Sequence, residues 1–203
     1  MSGRLAQVAT KMARLLPSPL WKAYGRKAKA QGFDRLYFAL SCDCDTPEDA
    51  EAAARLHEWL TPRGMKATYA VPGEQLVAAA ATYKRLAEDG AAFINHGARP
   101  HAEWRNGRYW SITFYHEMSP AQVVDDIKEG DRILREVIGR APSGFRAPHF
   151  GLYQRPEELQ TLHGALVGLG YRFSTSTVPA LGLRRGPIVP MNGAAGIRTP
   201  GMS

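Results

Sequence analysis

Between residues 36 and 173 the chain alternates short apolar runs with stretches of helical periodicity, and this alternation limits its fold more than any other feature. Residues 36–42, 66–71, 91–95, 144–146 and 171–173 read as strands. Thr46-Pro47-Glu48-Asp49 supplies an N-cap, a proline at the first helical position and acids for the helix dipole, so a helix is expected from there to about Arg63. Pro72-Gly73 leads into a second helix over roughly 74–89, which Gly90 ends. Ser119-Pro120-Ala121-Gln122 forms a capping-box start for a third helix, on which Val123, Ile127, Leu134 and Ile138 share a face through about Val137. The last helix covers 156–169, with Leu159, Leu162 and Leu166 on one side. The resulting βαβαβαβαβ string predicts parallel strands joined by right-handed crossovers, a fold that gathers functional residues at the carboxyl ends of its strands.

Three polar clusters fall at such ends: Asp43-Cys44-Asp45, the segment from His96 to His101, and Arg146-Ala147-Pro148-His149. One carboxylate and two imidazoles meet the demand of a divalent ion such as zinc for three ligands and an open position, and a second carboxylate can take a proton from water. Either motif alone is common by chance; their placement at one rim is what points to a metal hydrolase. In a regular strand Asp43 and Asp45 share one face while Cys42 and Cys44 share the other, so the carboxylates can address one site while the cysteines pack. Asp45 has a second reading, as a helix cap together with Thr46. His57 and His163 lie inside predicted helices and read as structural.

The net charge of +7 on 203 residues suggests a nucleic-acid or membrane partner until it is mapped along the chain. Residues 1–35 hold eight lysines and arginines against Asp34 alone, and the remainder balances. The chain therefore divides into a basic leader (1–35), a globular α/β domain (36–179) and a Gly/Pro-rich irregular tail (180–203). In the leader Leu5, Val8, Met12, Leu15 and Leu16 fit one stripe of a helix that Pro17 and Pro19 would end. That stripe reads either as a solvated helical extension or as a peripheral contact of residues 1–30 with an anionic membrane. Nucleic acid is not expected as a partner, since no recognised module and no aromatic-basic interleaving accompany the charge. No apolar run reaches the ~18 residues of a membrane span, no secretory signal is recognised, and Cys42 and Cys44 cannot staple distant segments. A cytoplasmic setting, at most peripheral to a membrane, fits these features.

Over residues 36–179 the three clusters resemble the motifs of the polysaccharide deacetylase family, the NodB-homology domain, similar to carbohydrate esterase family 4, which is a zinc-dependent distorted (β/α) barrel. The family's usual adjacent aspartates are spaced here by Cys44, and the three residues between its histidines become four between His96 and His101. The resemblance implies Asp43 as general base, with Asp45 and His96 as metal ligands. His101 is favoured as the third ligand, and His116 is its rival beyond the aromatic insertion 104–115. It further implies that Arg146 orients Asp43 and that the backbone N–H of His149, beside Pro148, supports the oxyanion. The His149 ring, standing where the family has an aromatic, would stack on sugar or assist proton transfer, and Tyr109, Trp110 and Tyr115 would form a sugar-binding wall or the private core of a loop.

The activity implied is removal of an acetyl group from an N-acetylated sugar or glycan precursor. Alternatives are hydrolysis of a small amide or ureide, as in allantoinase-like relatives, or a catalytically impaired homologue that binds glycan or a protein partner. The family's final-strand histidine acid has no counterpart after His163, leaving His149 or His116 to replace it. Five strands imply an incomplete barrel whose open edge a second copy of the chain would cover.

Overall fold

The computed structural model describes residues 17–34, 38–149 and 152–176. The chain divides into two units: the described residues of the first are 17–34 and 38, and the second is the compact unit 39–176. In the first unit the described element is helix α1 (Pro17–Ala30). Pro17 and Pro19 stand in its first turn, where a missing N–H costs no helical bond. Prolines expected to end a leader helix thus also stand at the opening of this one. Lys22, Arg26, Lys27 and Lys29 of α1 are exposed. The stripe from Leu5 to Leu16, the first residues expected in the opening strand (Leu36 and Tyr37) and the tail beyond Ser176 lie outside the described residues.

The second unit follows the predicted alternation. Its strands are β1 (Leu40–Asp43), β2 (Ala67–Val71), β3 (Ala92–Asn95), a separate pair β4 (Ala102–Arg105) and β5 (Arg108–Ser111), then β6 (Gly144–Phe145) and β7 (Phe173–Ser174). Its helices are α2 (Asp49–Leu60), α3 (Gly73–Ala78), α4 (Ala80–Glu88), α5 (Pro120–Ile138) and α6 (Pro156–Gly168). The main sheet is parallel throughout in the order β1-β2-β3-β6-β7. A doubly wound sheet reverses its strand order at a switch point; here every crossover steps the same way, as in a (β/α) barrel. Five parallel strands among the described residues make an incomplete barrel, and right-handed crossovers lay its helices along one face.

Two clusters fill the space between strands and helices. Tyr69, Val71, Leu76, Tyr83, Leu86, Phe93 and Leu134 belong to one, and Val123, Ile127, Phe145, Leu162, Leu166 and Tyr171 to the other. Helix α5 contributes to both. It starts as expected, with Ser119 Oγ accepting from Gln122 N–H at 3.3 Å and the Gln122 side chain accepting from Ser119 N–H at 2.9 Å. It ends at the left-handed Gly139.

Two expectations are corrected. The single helix over 74–89 is broken at Ala79, whose φ of −121° is not helical. No local signal marks that break; the start of α3 is tied to another part of the chain, Gly73 N–H donating to Gly97 C=O and Glu74 N–H to Ala98 C=O. The aromatic insertion is a two-stranded hairpin rather than a structureless loop, turning at Asn106 (φ 52°) and Gly107 (φ 78°). Asn-Gly with both residues left-handed is the turn whose twist suits a tight hairpin.

Candidate active site

The first cluster leaves the sheet at its carboxyl edge. Cys44 N–H still donates to Ala70 C=O at 2.9 Å, so strand geometry persists to Cys44 and alternation holds. Cys44 is 2% exposed in the core, and burial pushes its thiol up to about 12, which excludes it as a ready thiolate ligand. Asp45 emerges on the opposite face. It is not the cap of α2, because Thr46 N–H and Oγ donate instead to Asp49 Oδ2 at 2.8 and 2.9 Å.

Asp45, His96 and His101 converge, each offering one donor atom within 4.8 Å of the others. Asp45 Oδ1 lies 3.1 Å from His101 Nδ1 and 3.5 Å from His96 Nε2. Ligands bound at the usual 2.0–2.1 Å on a tetrahedral zinc ion stand about 3.3 Å apart, so these separations suit one shared ion. His96 Nδ1 donates to Arg146 C=O at 2.7 Å, which fixes the tautomer and turns the lone pair of Nε2 toward the Asp45 carboxylate. Two electron-rich atoms facing each other in this way are reconciled by a cation between them. Burial, reinforced by His101, pushes His96 down to about 3, so it is neutral at physiological pH, the form that binds metal. Burial acts to raise the Asp45 carboxyl, but the hydrogen bond from His101 and the electrostatic effect of the neighbouring imidazole rings outweigh it and hold the group below its ordinary value.

The second carboxylate is organised separately. Arg146 reaches across the sheet: Nη1 grips Asp43 Oδ1, Nη2 donates to Ser41 Oγ at 2.7 Å and Nε to Thr175 Oγ1 at 2.9 Å. A guanidinium held at three corners presents a fixed fork to the carboxylate. Burial raises the Asp43 pKa, partly offset by Arg146, while its side chain keeps 38% of its surface open. Ser41 and Thr175 escaped the sequence reading, since both are common residue types 105 and 29 positions from the group they hold.

His149 follows at φ 53°, a left-handed conformation uncommon for a residue with a β-carbon. Its Nε2 donates to Ile112 C=O at 2.6 Å, and its ring lies 4.4 Å from that of Phe114 and 6.0 Å from that of His101. Pro148 is buried beside it. The hairpin is joined to the same rim, because Ile112 N–H donates to His101 C=O at 2.8 Å.

Other expected site residues are distributed differently. His116 is exposed next to Glu117, 3.8 Å away, and takes no part in the triad. Tyr115 is a core residue, 2% exposed, with its hydroxyl donating to Asp126 Oδ2 at 2.6 Å, so it forms no wall. Tyr109 is half-buried with its hydroxyl on Glu48, and Trp110 is exposed beneath the Arg108 guanidinium at 3.8 Å. Trp104, which the sequence reading left without a role, is exposed and packs edge-on to Tyr109 at 4.9 Å. His57 and His163 lie on α2 and α6, outside the cluster.

Comparison with known proteins gives one family model, "Polysaccharide deacetylase", matching residues 25–165. Solved structures with the same fold include a Mycobacterium smegmatis protein assigned to the polysaccharide deacetylases (18% identity, TM-score 0.52, 68% of this chain and 50% of that one). A family 4 carbohydrate esterase from Streptomyces lividans in complex with acetate matches at 20% identity and TM-score 0.50, over 68% of this chain and 60% of that one. A mutant of a Bacillus anthracis family 4 pseudoenzyme, with restored enzymatic activity, matches at 14% identity and TM-score 0.51, over 68% and 43%. The chain thus spans about half the length of these structures. No curated protein matches it in sequence.

Proposed function

Since the chain belongs to the polysaccharide deacetylase family, we propose that it hydrolyses the acetamide of an N-acetylated sugar or polysaccharide precursor with a divalent metal, zinc suiting the donor set best. Asp45, His96 and His101 would hold the ion, which when bound polarises a carbonyl and acidifies water. The observation that carries this reading is the convergence of those three donors beside a carboxylate that an arginine grips.

Asp43 accepts the proton of the attacking water on the oxygen that Arg146 leaves free. Its burial raises its basicity toward the working range of a general base. Arg146 fixes the direction of that oxygen, so the proton transfer needs no reorientation of the carboxylate. The His149 backbone N–H supports the oxyanion, and its ring assists transfer to the leaving amine of the proton that Asp43 accepted. Tyr109 and Trp110 belong to the hairpin that borders the sugar.

The test is acetate release from N-acetylglucosamine oligomers by the zinc-loaded chain. Asp43→Asn should lower kcat by ~10²- to 10⁴-fold with metal content retained. Asp45→Ala, His96→Ala and His101→Ala should each lose the metal, whereas His116→Ala keeps it. A folded wild type that takes up no metal overturns the reading. Metal uptake without turnover leaves the impaired glycan-binding homologue, and turnover of ureides in place of sugars leaves the small-amide hydrolase.

A further inference from the structure

Four residues separate His96 from His101, and the segment that carries them is moulded onto a side chain from elsewhere. Asp126, on α5 and 4% exposed, directs Oδ1 at two successive amides of this segment, accepting from Ala98 N–H at 3.2 Å and Arg99 N–H at 3.0 Å. Its Oδ2 accepts from the Tyr115 hydroxyl at 2.6 Å, and Arg99 Nε stands 3.6 Å from Oδ1. Successive N–H groups turned to one side form a nest for an anion, and here the anion belongs to the same chain. The fit is close: a β-carbon on Gly97, at φ +83°, would lie 2.4 Å from Asp126 Oδ2 and 2.9 Å from the Tyr115 hydroxyl.

The two histidines are anchored independently of this nest, His96 through its Nδ1 to Arg146 C=O and His101 through its carbonyl to Ile112 N–H. Between them, Asn95 holds the Gly97 amide and α3 holds the carbonyls of Gly97 and Ala98, while the amides of Ala98 and Arg99 are gathered by Asp126. We propose that Asp126 is a positioning residue which, by gathering the amides of Ala98 and Arg99, sets the separation of His96 and His101 and so the metal affinity of the site. The proposal rests on the metal-site reading above. A buried carboxylate that served the fold alone would be replaceable at a cost in stability only; one that shapes the histidine segment alters the ligands as well.

The experiment compares Asp126→Ala, Asp126→Asn and Leu134→Ala in the full chain. Leu134 is buried on the same helix in the hydrophobic core, so its truncation supplies a loss of stability without a change in the nest. Zinc affinity measured by competition with a chromophoric chelator should fall ~10- to 100-fold in Asp126→Ala, the usual effect of losing an outer-sphere partner of a ligand set. It should stay within about threefold of wild type in Asp126→Asn, which keeps an oxygen for the two amides, and in Leu134→Ala. A second readout needs no metal: amide exchange at Ala98 and Arg99 and the ring ¹⁵N resonances of His96 and His101 should change in Asp126→Ala and hold in Leu134→Ala. Equal affinities in Asp126→Ala and wild type, or equal losses in Asp126→Ala and Leu134→Ala, overturn the proposal. If the wild type takes up no zinc, the metal reading falls, and the exchange and ring resonances alone decide whether Asp126 shapes the segment.

Discussion

Replacing Gly130 by alanine should destabilise the protein, although the same change in an ordinary helix stabilises it. Gly130 lies in the middle of α5, where alanine is worth about 1 kcal/mol more than glycine by intrinsic propensity. Here, however, a β-carbon would meet Asn95 Oδ1 at 2.4 Å, Gly97 C at 2.6 Å and Gly97 O at 2.7 Å. Two of those atoms are backbone and the third already accepts from Gly97 N–H at 2.9 Å, so no flexible side chain can swing aside. Relief to ordinary contact, near 3.4 Å, requires α5 and the histidine segment to part by up to about 1 Å, the shortfall of the 2.4 Å contact. Overpacking of this kind costs about 1–3 kcal/mol, and weakening the buried Asn95–Gly97 bond adds about 1–2 kcal/mol. After the propensity gain, the net loss is about 1–4 kcal/mol. Gly164, on α6, has nothing within 4 Å of its would-be β-carbon, and Gly164→Ala should gain about 0.5–1 kcal/mol. Urea unfolding of both variants at constant m-value measures the difference. If Gly130→Ala matches the wild type or gains as much as Gly164→Ala, the close approach of α5 to the histidine segment is refuted.

Arg146→Lys should lower kcat at least tenfold with the fold retained, because an ammonium replaces the fork shared by Asp43, Ser41 and Thr175; circular dichroism together with acetate release would show it, and unchanged turnover would contradict it. Burial holds His96 down at about 3 in the folded chain against an ordinary 6.5, so between these values the unfolded chain binds a proton that the folded one refuses. The contribution of His96 to the stability of the metal-free protein is therefore complete above pH 6.5 and lost as pH falls toward 3, at up to about 1.4 kcal/mol per pH unit, which denaturant melts along a pH series would read; a flat profile would count against a neutral, buried His96. Iodoacetamide should modify Cys42 in the native protein while Cys44, buried with its thiol pushed up to about 12, reacts only on unfolding; equal native rates by mass spectrometry would contradict the core position of Cys44. The full chain should float with anionic vesicles at low salt and lose that partitioning when residues 1–30 are removed; equal flotation of both forms would remove the membrane reading of the leader.

What the sequence made legible is what local chemistry determines. The capping box of Ser119 and Gln122, Gly90 after α4 and the alternation of Asp43, Cys44 and Asp45 each act within a few residues, and each is found where the pattern puts it. The triad was legible for a related reason: strand ends in such a fold face one rim, so local motifs became a spatial prediction. The choice of His101 over His116 followed from the same economy, a short segment needing less ordering than a long one. The hairpin carried a readable mark in Asn106-Gly107 between aromatic residues, and the aromatic content of the segment drew attention away from it.

The residues that were not legible share a different property. Ser41 and Thr175 hold Arg146 across 105 and 29 positions of sequence, Asp126 holds the amides of Ala98 and Arg99 across 28 and 27, and Asn95 donates to Ile127 C=O and the Tyr171 hydroxyl across 32 and 76. Nothing in their immediate neighbours distinguishes Asp126 from Asp125, one position away on the same helix, yet the first is buried under two amides and the second is not. Helical phase decides between them, and phase becomes informative only once α5 has a neighbour, brought close by Gly130. Tyr115 illustrates the reverse error: an aromatic residue near a sugar-type site invites a binding role, but a tyrosine whose hydroxyl meets a buried carboxylate is held in the core by that bond. In this chain the candidate donors are written in local motifs, and the segment between the two histidines is packed against a glycine and an aspartate of one helix.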